Sequence, residues 1–309
     1  MGLQKTSAGL RRCDKMCNKY GVFKEEATSV EEFFRKVQKF HEEARPSSLA
    51  SIPKEDLQTF YRGHEDVDYC CTPSVFRNKL LFKEAEIYRR AIEALPYEFN
   101  YLDSIFSKLC KLQHYGAPTR ILDFTICPKI ALWFATNSKE GQDGEVIIYR
   151  TTSVGQDDLG VKALAFLATY DGEIDKKFYA ELRNHLQANY SDEYLRQLLR
   201  KGYFVIPKIT NERLYRQKGL FLLFGQKKDG EKLPSKLDDN FGRGEEYPGY
   251  IGKIRIPNDS KKAIRQELEK EGISEPFLFP DIQKELEKIK GEESKKITKD
   301  GENGNSYLQ

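Results

Sequence analysis

The sequence predicts an α+β protein: a single mixed domain with a central, mostly antiparallel sheet, flanking helices and a helical insertion at about residues 172–201. Three observations carry this expectation. Short apolar runs at residues 60–63, 119–124, 144–150, 202–207, 219–224 and 250–257 have the length and the bounding glycines and prolines of strands. The segments between several of them place apolar residues three and four apart and carry helix start and stop signals. With 39% hydrophobic and 12% aromatic residues over 309 positions, the chain can bury a substantial core.

Residues 1–28 are polar and weakly patterned, and read as a flexible arm ahead of a domain at 29–290. Thr28 or Ser29 ahead of Glu31 and Glu32 is a capping signal, and Phe33, Phe34, Val37 and Phe40 form one stripe, so a helix is expected to about residue 45. Pro46 and Pro53 bracket a loop, and Thr72-Pro73-Ser74 reads as a turn. Ile87, Ala91, Ile92 and Leu95 mark a helix over about 80–95, ended by Pro96. Leu102, Ile105, Phe106, Leu109 and Leu112 mark another over about 102–115, stopped by Gly116 with Pro118 beyond. Thr125 is expected to cap a short apolar helix at 128–136, whose Pro128 falls in the first turn, where a missing N–H costs nothing. The Leu and Tyr spacing of 172–201 suggests a helical pair forming a lid or insertion. A Gly-rich charged loop at 227–247, a helix at 260–271, the segment 277–280 and a last helix to 290 follow. The tail, 291–309, is Glu, Lys, Gly and Asn, which cannot order itself by burial.

The charge balance is 51 basic to 48 acidic side chains, net +3, so any polyanion binding needs a local patch. No apolar run reaches the roughly 20 residues that span a bilayer. The amino terminus lacks the apolar core of a signal peptide, so a cytoplasmic location with no membrane partner is expected. The six cysteines are scattered and read as reduced thiols; Cys13 with Cys17 and Cys70 with Cys71 lack a second half-site, so no metal is expected.

Two segments hold the chemistry. Residues 113–125 (Gln113-His-Tyr-Gly-Ala-Pro-Thr-Arg-Ile-Leu-Asp-Phe-Thr125) pack a helix end, a turn and a strand around six polar or charged side chains. Residues 57–64 place Arg62 inside an apolar strand-like run that stops at Gly63. Arginine is seldom buried without a partner, so both segments read as walls of one polar cleft. Each residue also has a purely structural reading: Arg62 with Asp123 as an ion pair, His114 as a protonated ring at a helix carboxyl end, Thr125 as a cap, Trp133 and Phe134 as core. No Gly-x-Ser-x-Gly elbow or phosphate loop is present. Cys110 precedes His114 by one helical turn, but its apolar neighbours point to packing.

Phe60-Tyr61-Arg62-Gly63, Pro73-Ser74 with Phe76-Arg77, Glu86, the 113–125 motif and Ala131-Leu-Trp-Phe-Ala135 together resemble the FRG domain, named for Phe-Arg-Gly. Asn211-x-Arg213, Gln217-x-Gly219-Leu-Phe221, Lys253-Ile-x-Ile-Pro257 and Leu278-Phe-Pro-Asp281 extend the resemblance over about residues 30–290, with Tyr61 where the name has Phe. Tyr61-Arg62-Gly63, and Asp123-Phe-Thr125 leading into Ala131-Leu-Trp-Phe-Ala135, also resemble elements of ADP-ribosyltransferases of the Arg-Ser-Glu type. That resemblance implies an ADP-ribosyltransferase-like sheet, NAD as substrate, and a catalytic Glu just before the strand at 219; this chain has Gln217 there, with Glu212 five residues earlier.

Cleaving the ribosyl–nicotinamide bond builds positive charge on the sugar, so a site needs a diphosphate clamp, a ring slot and a carboxylate. Arg62 or Arg120 suits the clamp, Tyr115, Trp133 or Phe134 the slot, and Glu86 or Asp123 the charge. The expected catalytic set is Arg62, Glu86, Asp123 and Gln217; the expected NAD-binding set is Tyr61, Arg62, Gly63, His114, Tyr115, Thr119, Arg120 and Thr125. The implied function is an NAD-dependent ADP-ribosyltransferase acting on a protein or nucleic acid, as an intracellular toxin or phage-defence effector with an inhibitory partner. The alternative is a non-catalytic module that binds a nucleotide or phosphorylated ligand.

Overall fold

A computed structural model of the chain describes residues 23–43, 52–69, 71–77, 80–137, 141–208, 211–225, 243–244, 247–248 and 250–280. The expectations for the arm before residue 23, most of the Gly-rich loop, and everything after 280 lie outside the described residues.

The strands are β1 (Phe23–Glu26), β2 (Gln58–His64), β3 (Ile121–Thr125), β4 (Gly144–Thr151), β5 (Val154–Gly155), β6 (Tyr203–Ile206), β7 (Gly219–Leu223) and β8 (Tyr250–Ile256). They form an eight-stranded sheet in the order β1-β8-β4-β2-β3-β7-β6-β5. The pairs β1/β8 and β5/β6 are parallel and the rest antiparallel, as the sequence leads one to expect of the sheet. Arg243–Gly244 and Tyr247–Pro248 pair in a separate two-stranded ladder. The helices longer than one turn are α1 (Val30–Glu43), α2 (Glu84–Ala94), α3 (Ile105–His114), α4 (Pro128–Ala135), α5 (Leu159–Thr169), α6 (Lys176–Leu186), α7 (Asp192–Arg200), α8 (Glu212–Arg216) and α9 (Asn258–Lys270), with single turns at Pro96–Phe99 and Glu275–Leu278. Among the described residues no helix is long and apolar enough to cross a membrane.

Local chemistry sets most of these boundaries. Ser29 accepts from the Glu32 N–H while the Glu32 carboxylate reaches back to the Thr28 N–H, a reciprocal cap that starts α1. Ser104 accepts from the Ser107 N–H, so α3 begins at Ile105 and not at Leu102. Gly116, at φ +80°, ends it: Ala117 N–H reaches the Leu112 carbonyl and Gly116 N–H that of Gln113, the Schellman arrangement. Phe23–Glu26, expected within the flexible arm, is instead an edge strand paired with β8.

The sheet has two halves, joined thinly. Strand β2 pairs with β4 over its whole length but meets β3 at one residue pair, Tyr61 opposite Thr125. Helices α1, α4 and α9 cover the β1-β8-β4-β2 half, burying Phe33, Phe40, Leu132, Ile148 and Ile254. Helices α2, α3, α5, α6 and α7 cover the other half, with Leu109, Leu164, Phe178 and Leu182 packed near Ile121 and Phe221. Helix α5, with no counterpart in the sequence reading, is apolar apart from Lys162 and Thr169 and lies at the centre of this layer. A helix of that kind has no periodic stripe to betray it. Helices α6 and α7, expected as a lid or insertion, join the same core around α5.

On the opposite face the sheet curls upon itself. Phe60 of β2 stacks on Phe204 of β6, three places along the sheet order, with centroids 4.5 Å apart; Phe124 and Tyr149 each lie 5.0 Å from the same ring. Curling brings the halves together through this aromatic cluster while β2 and β3 part at their rim.

Helix α4 lies directly on that rim. A Cβ at Gly63 would stand 2.0 Å from the Ala131 carbonyl oxygen and 2.7 Å from the Ala135 nitrogen, so glycine alone lets α4 approach β2 this closely. We expect Gly63→Ala to destabilise the protein by about 3 kcal/mol, read from the denaturant midpoint, because helix backbone must move. An unchanged midpoint contradicts this packing.

Candidate functional site

Side chains on β2 alternate in direction, so Tyr61 and Gly63 turn toward α1 and α4 while Phe60, Arg62 and His64 turn to the other face. Past the Tyr61–Thr125 bridge the strands diverge, and Arg62 spans the gap: its Nη1 donates to the Asp123 carbonyl at 2.5 Å. Its Nε donates to His64 Nε2 at 3.0 Å. These bonds use two of the five guanidinium N–H donors and leave the others for a ligand.

The divergence opens a cleft of about 190 Å³ lined by Arg62, Phe124, Thr125, Phe134, Arg213 and Gln217 among others. A smaller hollow of about 50 Å³ adjoins it, lined by Cys110, Gln113, His114 and Asn211 with others, and Asp123, Arg213 and Gln217 border both. Of the residues expected to form the site, the structure thus brings Arg62, His114, Asp123, Thr125 and Gln217 to one concave surface. Asp123 is the one carboxylate among the described residues lining either hollow.

The 113–125 motif aims that carboxylate. Gln113, at the end of α3, donates from Nε2 to Asp123 Oδ2 at 2.8 Å and accepts from Thr119 Oγ1 at 2.6 Å; Thr119 Oγ1 in turn accepts from the Ile121 N–H. Thr119 is therefore buried behind the site and orients Asp123 through Gln113. Thr125 donates to the Gln217 carbonyl at 2.8 Å and accepts from the Cys127 N–H at 3.0 Å, tying β3, α4 and the end of α8 together. Cys127, not Thr125, occupies the N-cap position of α4. The Gln217 amide donates to the Leu278 carbonyl at 3.1 Å, which fixes it in the wall.

Other expectations are corrected. Arg120 is 3% exposed, and its Nε and Nη2 bond the two carboxylate oxygens of Glu84 while Nη1 reaches the Phe224 carbonyl; it is a buried ion pair with no face to a ligand. Glu86 stands away from the cleft, paired with Lys83 at 2.7 Å on the surface. Two residues along a helix is about 200° around it, so when Glu84 points inward Glu86 points out. Tyr115 is 73% exposed and does not line the cleft; Trp133 is core, with the Arg265 guanidinium 4.2 Å from its ring centroid. Phe134 provides the aromatic wall. Tyr61 borders the cleft, but its ring is buried, its hydroxyl lies 3.2 Å from His41 Nε2, and burial pushes its pKa up to about 12. Gly63 borders the cleft yet serves the α4 contact.

Burial, then the nearby Arg213 charge, lowers the His114 pKa, which disfavours the alternative reading of a protonated ring at the helix end. Burial also holds the Cys110 thiol well above its usual pKa, which removes it as a nucleophile. Glu212 is exposed and bonds Arg216 at 2.8 Å. Arg213, like Gln113, is a site residue absent from the expected catalytic and NAD-binding sets. It borders both hollows with its guanidinium 4.7 Å from the Phe279 ring centroid, and the available signal was Asn211-x-Arg213, since Asn211 caps α8 by accepting from the Leu214 N–H at 2.7 Å. No metal-holding group of three or more His, Cys, Asp or Glu occurs among the described residues.

These features define a class: an α+β protein with a cationic cleft at the split of its sheet, built around one oriented carboxylate. The FRG domain family model matches residues 57–144, so the chain carries an FRG domain over that stretch. The match runs from just before β2 to the first residue of β4, so it contains Arg62 and Asp123 but neither Arg213 nor Gln217. No curated protein and no solved structure matches the chain.

Two outcomes test this geometry. Glu84→Ala should cost about 3–5 kcal/mol of stability by leaving Arg120 buried and unpaired, whereas Glu86→Ala should leave the unfolding midpoint unchanged. In NMR titrations His114 should ionise below the usual histidine range, and Arg213→Ala should move its midpoint up; a midpoint indifferent to Arg213 contradicts their proximity.

Proposed function

We propose that the split-sheet cleft binds NAD and transfers its ADP-ribose to a macromolecular acceptor, protein or nucleic acid. The observation that supports this reading is Asp123, held by Gln113 between the guanidinium-bearing walls of Arg62 and Arg213, with Phe134 on the same cleft. Two guanidiniums suit a diphosphate, an aromatic wall suits a nicotinamide ring, and an oriented carboxylate suits a sugar that becomes cationic. In that reaction the C1′–N bond breaks with its electron pair leaving on nicotinamide. The acceptor heteroatom bonds to C1′ and releases its proton to water. Gln217 carries no charge and its amide is committed to Leu278, so the carboxylate role falls to Asp123 and Gln217 is a wall group.

A second reading, a nucleotide- or phospho-ligand-binding module without turnover, is favoured by Gln217 standing where the resembled transferases carry Glu. An enzyme of the first kind also suits an intracellular toxin or phage-defence effector, with growth arrest on expression as its signature.

The decisive measurement is nicotinamide release from NAD by the purified chain, with and without cell lysate. We expect release, a fall of about 10²–10³-fold in Arg62→Ala and in Asp123→Asn, and ADP-ribose binding retained in Asp123→Asn. Binding heat with no release at high protein concentration establishes the module reading instead, and neither heat nor release removes both.

A further inference from the structure

His64 has no place in the chemistry above, yet it is 4% exposed and touches the central guanidinium. Arg62 Nε always carries a hydrogen, so the 3.0 Å contact makes His64 Nε2 the acceptor. A neutral imidazole has one proton, which must then sit on Nδ1. Antiparallel register places Glu145 of β4 directly opposite His64, and its Oε1 lies 4.0 Å from that Nδ1, close enough for charge to act but beyond hydrogen-bond reach. Lys253 of β8 stands 3.4 Å from the other Glu145 oxygen. The order across the sheet is thus Arg62, His64, Glu145, Lys253, running from the cleft toward the β1 edge. The remaining neighbours are Arg77, whose charge acts on the ring, and Tyr69, whose ring centroid is 6.1 Å away.

We propose that His64, held as the Nδ1–H tautomer, is a positioning residue that fixes the plane of the Arg62 guanidinium across the split. Arginine has several rotatable bonds, and one carbonyl contact at Nη1 leaves the fork free to turn; a second contact at Nε removes that freedom. The His64 lone pair supplies it from a ring that is 4% exposed. Burial, followed by the Arg62 charge, drives the His64 pKa well below the usual histidine value, which keeps the lone pair available.

The tautomer is testable without any ligand. Multiple-bond 1H–15N correlation on the whole protein should show His64 with a protonated Nδ1 and an unprotonated Nε2, and a slowly exchanging Arg62 Nε–H. His64→Gln places an amide oxygen where Nε2 stood and should keep that proton protected, while His64→Leu, similar in bulk, should lose it. For the link to the cleft, which rests on the proposed nucleotide reading, ADP-ribose calorimetry should show affinity near wild type in His64→Gln and a loss of about a hundredfold in His64→Leu. An Nε2–H tautomer, or an Arg62 Nε–H equally protected in His64→Leu, overturns the inference. If the wild-type chain gives no heat with ADP-ribose, the nucleotide reading fails, and the tautomer and exchange results alone decide the role of His64.

Discussion

The site depends on a single side chain laid across a break in a sheet. Where β2 leaves β3 after the Tyr61–Thr125 bridge, no ladder of backbone bonds joins the halves on that side, and Arg62 reaches the Asp123 carbonyl in its stead. A guanidinium is suited to this position because its donors point in several directions at once: one to the opposite strand, one back to His64, the rest outward. The cationic character of the cleft is therefore a by-product of how the break is spanned.

The break persists because other forces hold the halves elsewhere. The aromatic cluster of Phe60, Phe124, Tyr149 and Phe204 binds them on the curled face, each close ring pair contributing about 0.5–1.5 kcal/mol beyond simple burial. On the other face α4 presses against Gly63, and Thr125 links β3 to Gln217 and to the start of α4. Packing thus closes both faces of the sheet and leaves the rim between β2 and β3 open. Buried polar pairs do the local fixing: Arg120 with Glu84 behind β3, Thr119 with Gln113 beneath Asp123.

Much of this was legible in the residues. Gly116 and Pro118 after a stripe of leucines mark the end of α3, and Ser29 with Glu32 its counterpart at the start of α1, because caps and stops act within one turn of chain. Arg62 in an apolar strand demanded a partner, and the partner lay in the 113–125 motif as expected, although the contact is to the Asp123 carbonyl and not its carboxylate. The errors have a common cause. Arg120 has the same sequence signature as Arg62, a cation in an apolar run, and only the placement of Glu84 separates a buried pair from a site residue. Helix α5 shows no clear amphipathic period because nearly all of its residues are apolar, Lys162 being its one charge.

The sequence by itself determined the kinds and approximate limits of most strands and helices, the polar motif that orients Asp123, and the exceptional character of Arg62, since all of these follow from short-range sterics, hydrogen bonding and the cost of burying charge. Only the tertiary structure decided which polar residues meet. Arg213 and Gln217, about ninety residues beyond Asp123, reach the cleft through the β3–β7 pairing, and His64 comes under Arg62 because β2 alternates its side chains. Such meetings are set by strand order, register and helix phase, which depend on the packing of the whole chain and leave no mark in any local stretch of it.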